Sequence, residues 1–249
     1  MKILYLIILT FVNFYMFSES LYGIRYGESY YSSKYIFFND KDSRLLPFDW
    51  LFYLIKKNNR IILIDCGFYS ENLIKIFEIN YKSPIKILKE NGFETDSITD
   101  IIITHSHFDH IENVLFFKNA RIYIQEDELN YFINNQYSNK RVAEFLKNSK
   151  NIITFKDTYK LAENIIIKKI GGHSIGSSVV EIYFKNKKFL LVSDEMYIKD
   201  NLTKKIGVGT FFNHDKNMDF IKSIKNDFEI LFFHWTEQKK DFFSIYEEQ

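Results

Sequence analysis

The sequence predicts an α/β domain of stacked layers, and three observations carry that expectation. Short runs rich in β-branched and aromatic residues stand between turns of Asn, Asp and Lys, helical patterns alternate with those runs, and no internal repeat is visible. With 249 residues, 46% hydrophobic and 18% aromatic, the chain has material for one large core and too little length for two ordinary domains. Its content of Gly 9 and Pro 2 excludes a collagen-like or Gly/Pro-rich disordered chain. The formal charge is +1, from 33 Lys+Arg against 32 Asp+Glu, so there is no global basic field to gather nucleic acid and no acidic tail.

The first segment is unlike the rest. Met1-Lys2 gives a short positive start, residues 3–12 are an apolar run of secretory-signal length that residues 14–17 extend, and Ser18 and Ser20 supply small residues. This predicts a signal peptide over residues 1–20, cleaved after Ser20, a mature domain over 21–249, and a periplasmic or secreted destination. An uncleaved anchor and a buried N-terminal strand are the alternatives. Cys66 is the only cysteine, so no intramolecular disulfide forms, and no cysteine stands at the cleavage point to carry a lipid. No later stretch approaches about 20 uninterrupted apolar residues, so membrane association is not expected of the mature chain unless the N-terminal segment is retained.

Further elements follow in order. Residues 50–55 and 60–65 are apolar runs joined by Lys56-Lys57-Asn58-Asn59, a hairpin whose second strand ends in Asp65-Cys66-Gly67. Ser83-Pro84 opens a helix that runs through Leu88 and stops at Asn91-Gly92, with Pro in the first turn and Gly at the stop. Residues 100–104 read as a buried strand ending abruptly in His105-Ser106-His107-Phe108-Asp109-His110. Strands are predicted at 121–125 and 164–170, helices at 126–132 and 141–146, and a second hairpin at 177–184 and 188–193. An amphipathic helix at 218–224 and a last strand at 230–233 complete the set. Four predicted strands thus end on an acid or an imidazole: Asp65, His105, Asp194 and His234. With only 6 histidines in the chain, their placement carries information.

His105, His107, Asp109 and His110 form H-x-H-x-D-H, and neutral imidazole with carboxylate is the ligand set expected of zinc and similar first-row metals. Composition puts this string in roughly one such chain in several thousand, whereas any one of these histidines alone would be read as a buried ring satisfied by a carbonyl. Gly171-Gly172-His173-Ser174 adds an imidazole in a tight loop, Asp194 ends a hairpin and His234 ends a strand. Together these are ligands enough for two sites of about four, with one carboxylate shared.

On these motifs the chain resembles the metallo-β-lactamase superfamily over about residues 22–235. The resemblance implies a four-layer αββα sandwich with the metal site at one edge. It implies two divalent ions, zinc by default, with iron, manganese or cobalt compatible with the same ligands. His105, His107 and His173 would bind the first ion, Asp109, His110 and His234 the second, and Asp194 both, with a hydroxide held between them as nucleophile. Asp65, in Leu63-Ile64-Asp65-Cys66-Gly67, matches the acidic residue that the superfamily places behind the site, and would orient ligands through hydrogen bonds.

Possession of both His110 and Asp194 argues against the antibiotic-hydrolysing branches and leaves lactonases, thioesterases of the glyoxalase II type, and phosphodiesterases including nucleases. The chain is most similar to the N-acyl homoserine lactonases. Leu46-Pro47-Phe48-Asp49-Trp50 leads into the first hairpin as in that family, Ile87-Leu88-Lys89-Glu90-Asn91-Gly92-Phe93 runs into His105 at a similar distance, and Tyr197 stands where those enzymes place a tyrosine against the ester carbonyl. The implied activity is cleavage of a small ester or lactone, with Asp109 or a metal-bound water passing the proton to the leaving oxygen. The +1 charge gives a nuclease little support. A metal-binding module without turnover is the non-enzyme alternative, and the intact ligand set argues against it.

Two departures from the family pattern predict a narrower or reshaped cleft: Ile111-Glu112-Asn113 where small residues are usual, and Phe233 in place of a glycine before His234, with Trp235 after it. His214 has no ligand match and reads as a surface-loop residue or a substrate contact. Phe108, Phe211, Phe212 and Trp50 are candidates for an acyl pocket or for ordinary core. Mass spectrometry of protein from its native envelope is expected to show a chain beginning at Leu21; retention of Met1 would favour the anchor.

Overall fold

Near-continuous apolar runs along the central strands give each sheet two faces to bury, and two such sheets covered by helices make four layers. A computed structural model describes residues 19–248. The first sheet runs β13 (Phe242–Glu247), β1 (Ser20–Ser32), β2 (Leu45–Lys57), β3 (Arg60–Ile64), β5 (Asp100–Ile103), β6 (Arg121–Gln125), β7 (Ile152–Phe155), with short β4 (Asn80–Tyr81) beside β1. The second runs β12 (Glu229–Leu231), β11 (Lys188–Leu191), β10 (Ser178–Tyr183), β9 (Ile165–Lys169), β8 (Thr158–Ala162). The helices are α1 (Ser33–Ile36), α2 (Glu71–Ile76), α3 (Pro84–Glu90), α4 (Phe108–Ile111), α5 (Glu126–Asn134), α6 (Lys140–Asn148), α7 (Lys199–Lys204) and α8 (His214–Ser223).

Ile62, Ile64 and Ile102 of the first sheet meet Ile167, Val180, Ile182 and Leu191 of the second in the inter-sheet core. Their sequence neighbours Leu63, Ile101 and Ile103 face outward against Ile87 and Leu88 of α3, Phe132 of α5 and Leu146 of α6. On the far side, Val179 and Leu190 pack under Phe220 and Ile221 of α8. The molecule is therefore an αββα sandwich, and the near-continuous apolar runs of its central strands are what two covered faces require.

Topology collects the polar strand ends. β3 and β5 are parallel neighbours, so Asp65 and His105, which follow them, leave the sheet at the same edge. β11 and β12 are likewise parallel, which brings Asp194 and His234 out together. The first predicted hairpin is present, with Lys57 paired to Arg60 across Asn58-Asn59 and Asn58 in the left-handed region at φ 52°.

Two expectations need correction, and several strands were not foreseen. The strand at 230–233 is shorter and is not the last: Phe232 and Phe233 have left β12, and β13 closes the first sheet beyond it. The long β1 was not expected, because its apolar positions are interleaved with Gly and Ser. Edge strands β7 and β8 were also passed over. The helix predicted at 218–224 begins earlier, at His214, because Asn213 caps it by accepting from the Lys216 N–H at 3.0 Å.

Most of the predicted signal, residues 1–18, lies outside the described residues. Ser20 pairs with Lys56 and Glu247 in β1, and the Glu19 carboxylate meets Lys57 and the Asn164 amide. Among the described residues no helix is long and apolar enough to cross a membrane.

Phe233 is fully buried between the sheets, its ring 5.0 Å from that of Tyr53. Phe233→Ala is expected to cost about 3–5 kcal/mol of stability, measured by urea denaturation, through the lost packing of a large core ring.

Candidate metal centre

Each ligand candidate sits on a short loop that a strand end delivers. His105 follows β5 through Thr104, the α4 turn carries Asp109 and His110 inward, His173 lies in the loop between β9 and β10, and Asp194 and His234 follow β11 and β12. The structure brings all seven together in two groups: His105, His107, His173 and Asp194, and Asp109, His110 and His234, with the offered atoms in each group within 4.8 Å of one another. Asp194 stands between them. Its Oδ2 is 3.6 Å from His105 Nε2 and 3.4 Å from His173 Nε2, while its Oδ1 is 3.2 Å from His110 Nε2 and 3.1 Å from His234 Nε2.

The donor chemistry fits divalent cations. The Nε2 atoms of His105 and His110 are buried without a hydrogen-bond partner, and His107 Nδ1 lies 2.9 Å from His173 Nε2, a spacing that calls for a shared proton or cation. Burial, with His110 nearby, holds His105 well below the ordinary imidazole range, and burial brings His173 down to about 4, which favours the neutral form that a cation can use. Burial by itself would raise Asp194, but the facing His110, His234 and His105 rings outweigh it and hold the carboxyl well below its usual range.

Asp65 lies beside His110, at the end of β3. Fully buried, it accepts from the Thr104 N–H and hydroxyl, each at 2.7 Å, and lies 2.7 Å from His110 Nδ1. The Thr104 hydroxyl reaches Ser193 Oγ at 2.7 Å, and Ser193 Oγ is 3.3 Å from His105 Nδ1. If His105 presents Nε2 outward, its Nδ1–H donates to Ser193, Ser193 to Thr104 and Thr104 to Asp65. One carboxylate then terminates chains from both ligand groups. Asp65 and Ser193 both hold left-handed backbone, at φ 61° and 48°, an uncommon conformation kept here by these bonds.

A cavity of about 230 Å³ opens on the ligands, lined by Tyr31, Phe48, Trp50, Phe77, Phe108 and Tyr197, together with Thr210 and the site residues His107, Asp109, Asp194 and His234. Tyr197 is nearly buried, its ring 5.7 Å from that of His173 and 5.4 Å from that of His234. Burial and the Asp194 carboxylate push its phenol well above the ordinary range, which keeps it a donor.

Of the pocket candidates, Trp50 and Phe108 line this cavity, whereas Phe211 and Phe212 are exposed. His214 lies at the start of α8, stacks on Phe38 with centroids 3.7 Å apart, and is in neither ligand group. The two departures do not line the cavity. Phe233 enters the inter-sheet core, Ile111 packs in the outer core, and Asn113 clips the Cys66 and Phe68 carbonyls at 2.9 Å and 3.2 Å. Glu112 is buried and accepts from the Asn139 amide.

Sequence reasoning missed Asp49, whose carbonyl faces His234 Nδ1 at 3.0 Å while Arg25 holds its carboxylate at 2.6 Å. It also missed Thr104, Ser193, Tyr31, and the buried Glu128 and Glu195. The only available signal was adjacency: Thr104, Ser193 and Glu195 each stand next to a ligand in the chain.

The chain belongs to the metallo-beta-lactamase superfamily, whose model matches residues 51–232, and fold and site together define a metallo-hydrolase of that superfamily. It is 34% identical over 122 residues to a probable metallo-hydrolase of Methanocaldococcus jannaschii, a match covering 49% of each chain, so it spans about half of that relative. It is 27% identical over 209 residues to the N-acyl homoserine lactonase of Bacillus cereus, covering 76% of this chain and 82% of that one. Among solved structures, a quorum-quenching N-acyl homoserine lactone lactonase matches with TM-score 0.78 at 24% identity, over 90% of this chain and 95% of that one. A dizinc quorum-quenching lactonase matches with TM-score 0.71 at 19% identity, over 93% and 95%. These two share the fold.

Proposed function

We propose that the chain is a dinuclear metal hydrolase that opens a lactone or cleaves a related small ester, exported by its first twenty residues. The observation that supports this most is the Asp194 carboxylate, which turns one oxygen toward each ligand group. His105, His107 and His173 would hold one cation, Asp109, His110 and His234 the other, and Asp194 both. Bound cations supply Lewis acidity for an ester carbonyl and lower the pKa of water.

The chain's own residues account for the rest of the reaction. Tyr197, kept protonated, donates to the carbonyl oxygen as charge develops there. Asp109, on the cavity wall, takes the proton released on attack and returns it to the leaving oxygen. Aromatic rings make up most of the remaining wall and exclude water. Among the described residues no Lys or Arg lines the cavity, which suits a neutral ring or acyl group and disfavours a phosphodiester, whose charge calls for cationic side chains. The lactonase relatives support the same substrate class.

Purified protein is expected to carry two metal ions and to hydrolyse a lactone in preference to a thioester or a phosphodiester. Asp194→Ala should lower occupancy of both ions; a single tightly bound ion unaffected by that change would refute the shared-carboxylate reading. Tyr197→Phe should slow lactone turnover about ten- to a thousand-fold with metal content unchanged. A rate within about threefold of wild type removes Tyr197 from the catalytic set, because a hydroxyl that only packs or bonds to backbone contributes to stability rather than to rate.

A further inference from the structure

The four members of the first ligand group come from three separate loops, and two buried glutamates tie those loops to one another. Glu128, in the first turn of α5 and 1% exposed, accepts through Oε1 from the Ser106 N–H at 2.9 Å and the Ser106 hydroxyl at 2.5 Å. Ser106 lies between His105 and His107. The other oxygen of Glu128 accepts from the Ser174 hydroxyl and the Gly176 N–H, both at 2.7 Å, on the loop that carries His173.

Glu195 grips the same loop from the opposite side. It is fully buried, and its Oε1 accepts from the Gly172 and His173 N–H groups, each at 3.0 Å, and from the Ser177 hydroxyl at 2.5 Å. Its Oε2 accepts from the Asn217 amide at 2.8 Å, which anchors it to α8. Glu195 directly follows Asp194, so the carboxylate that fixes the His173 backbone is covalently joined to the shared ligand.

The loop is built for this close approach. A Cβ at position 172 would stand 2.3 Å from Glu195 Oε2, and one at position 176 would stand 2.6 Å from Glu128 Cβ, so both positions need glycine. Each carboxylate is buried and satisfied by several N–H and O–H donors, the condition under which a buried acid rigidifies its surroundings. Neither glutamate bonds to Asp109, His110 or His234; that group is held by Asp65 and by the Asp49 carbonyl.

We propose that Glu128 and Glu195 are positioning residues for the first metal, holding the His105–His107, His173 and Asp194 loops at binding distance, and that they reach the second only through the shared Asp194. This rests on the two-ion reading above.

The test is cobalt titration followed by absorption, with melting temperature measured on the same metal-free preparations. It uses the wild type, an Asp109→Ala background that leaves the first group intact, and a His107→Ala background that leaves the second. Glu195→Ala is expected to weaken cobalt binding about ten- to a hundred-fold in the Asp109→Ala background and to shift the cobalt absorption bands. In the His107→Ala background the weakening should be at least about threefold smaller, because Asp194 is the one ligand common to both groups. Glu128→Ala should behave the same way. Glu195→Gln keeps the oxygen that holds the His173 loop and loses the Asn217 acceptor, so it should fall between wild type and Glu195→Ala; it also carries the test if the alanine variant fails to fold.

Unchanged affinity and spectrum in the Asp109→Ala background overturn the proposal, as does equal weakening in both backgrounds, which is the mark of general destabilisation. Wild type that takes up one ion refutes the two-ion reading instead. The positioning role is then decided on that ion, which Glu195→Ala must still weaken.

Discussion

A neutral imidazole carries a proton on one nitrogen and a lone pair on the other, and the partner of the protonated nitrogen decides which way the lone pair points; this constraint orders the candidate ligand groups. His110 commits its Nδ1 to Asp65, His234 to the Asp49 carbonyl, His173 to the Thr210 carbonyl at 2.9 Å, and His105 to Ser193. Each partner lies on a different element, so the centre takes shape only if both sheets and their connecting loops are in place. The all-apolar strands behind it serve this end, because a core that packs in one way fixes where each strand stops and hence where each ring points.

The fold class and four of the seven ligand candidates were legible in the sequence because both are local signals, and His173, Asp194 and His234 were singled out where predicted strands and their loops end. Apolar runs of strand length announce the central sheets, and H-x-H-x-D-H is contiguous. What was not legible depends on pairings far apart in the chain. β1 has weak alternation of its own and is a strand because β2 and β13 flank it on both sides. Glu128 stands 22 residues from Ser106 and 46 from Ser174, and nothing in its own neighbourhood separates it from an ordinary acid at the start of a helix. Phe233 was misjudged for a related reason. Reading it as a neighbour of His234 placed it at the cleft, whereas its ring enters the inter-sheet core, 5.7 Å from the His110 ring, and of the two only His234 lines the cavity.

Aromatic content has a similar division of labour. Among 26 Phe and 17 Tyr, composition cannot separate core from pocket. In the structure Phe77 and Phe108 stack at 5.4 Å and Trp50 leans on both, so the wall facing the ligands is an extension of the outer core. A wall continuous with the core is rigid, and the shape it imposes on a ligand is as stable as the fold itself.

The pairing of the segment at His234 with the one at Asp49 bears on how the protein comes into being. Asp49 donates its N–H to the His234 carbonyl at 3.1 Å, Leu51 does the same to Phe233 at 3.0 Å, and the His234 ring returns to the Asp49 carbonyl, a closure of 185 residues. During synthesis His105, His107, Asp109 and His110 leave the ribosome more than a hundred residues before His234 does. Long-range closure of this kind is slow, so the nascent chain passes through a period in which four ligands are exposed and the set is incomplete. On the two-ion reading proposed above, metal met in that interval would find a partial site, and the full set of candidate ligands exists only in a chain whose translation has passed His234.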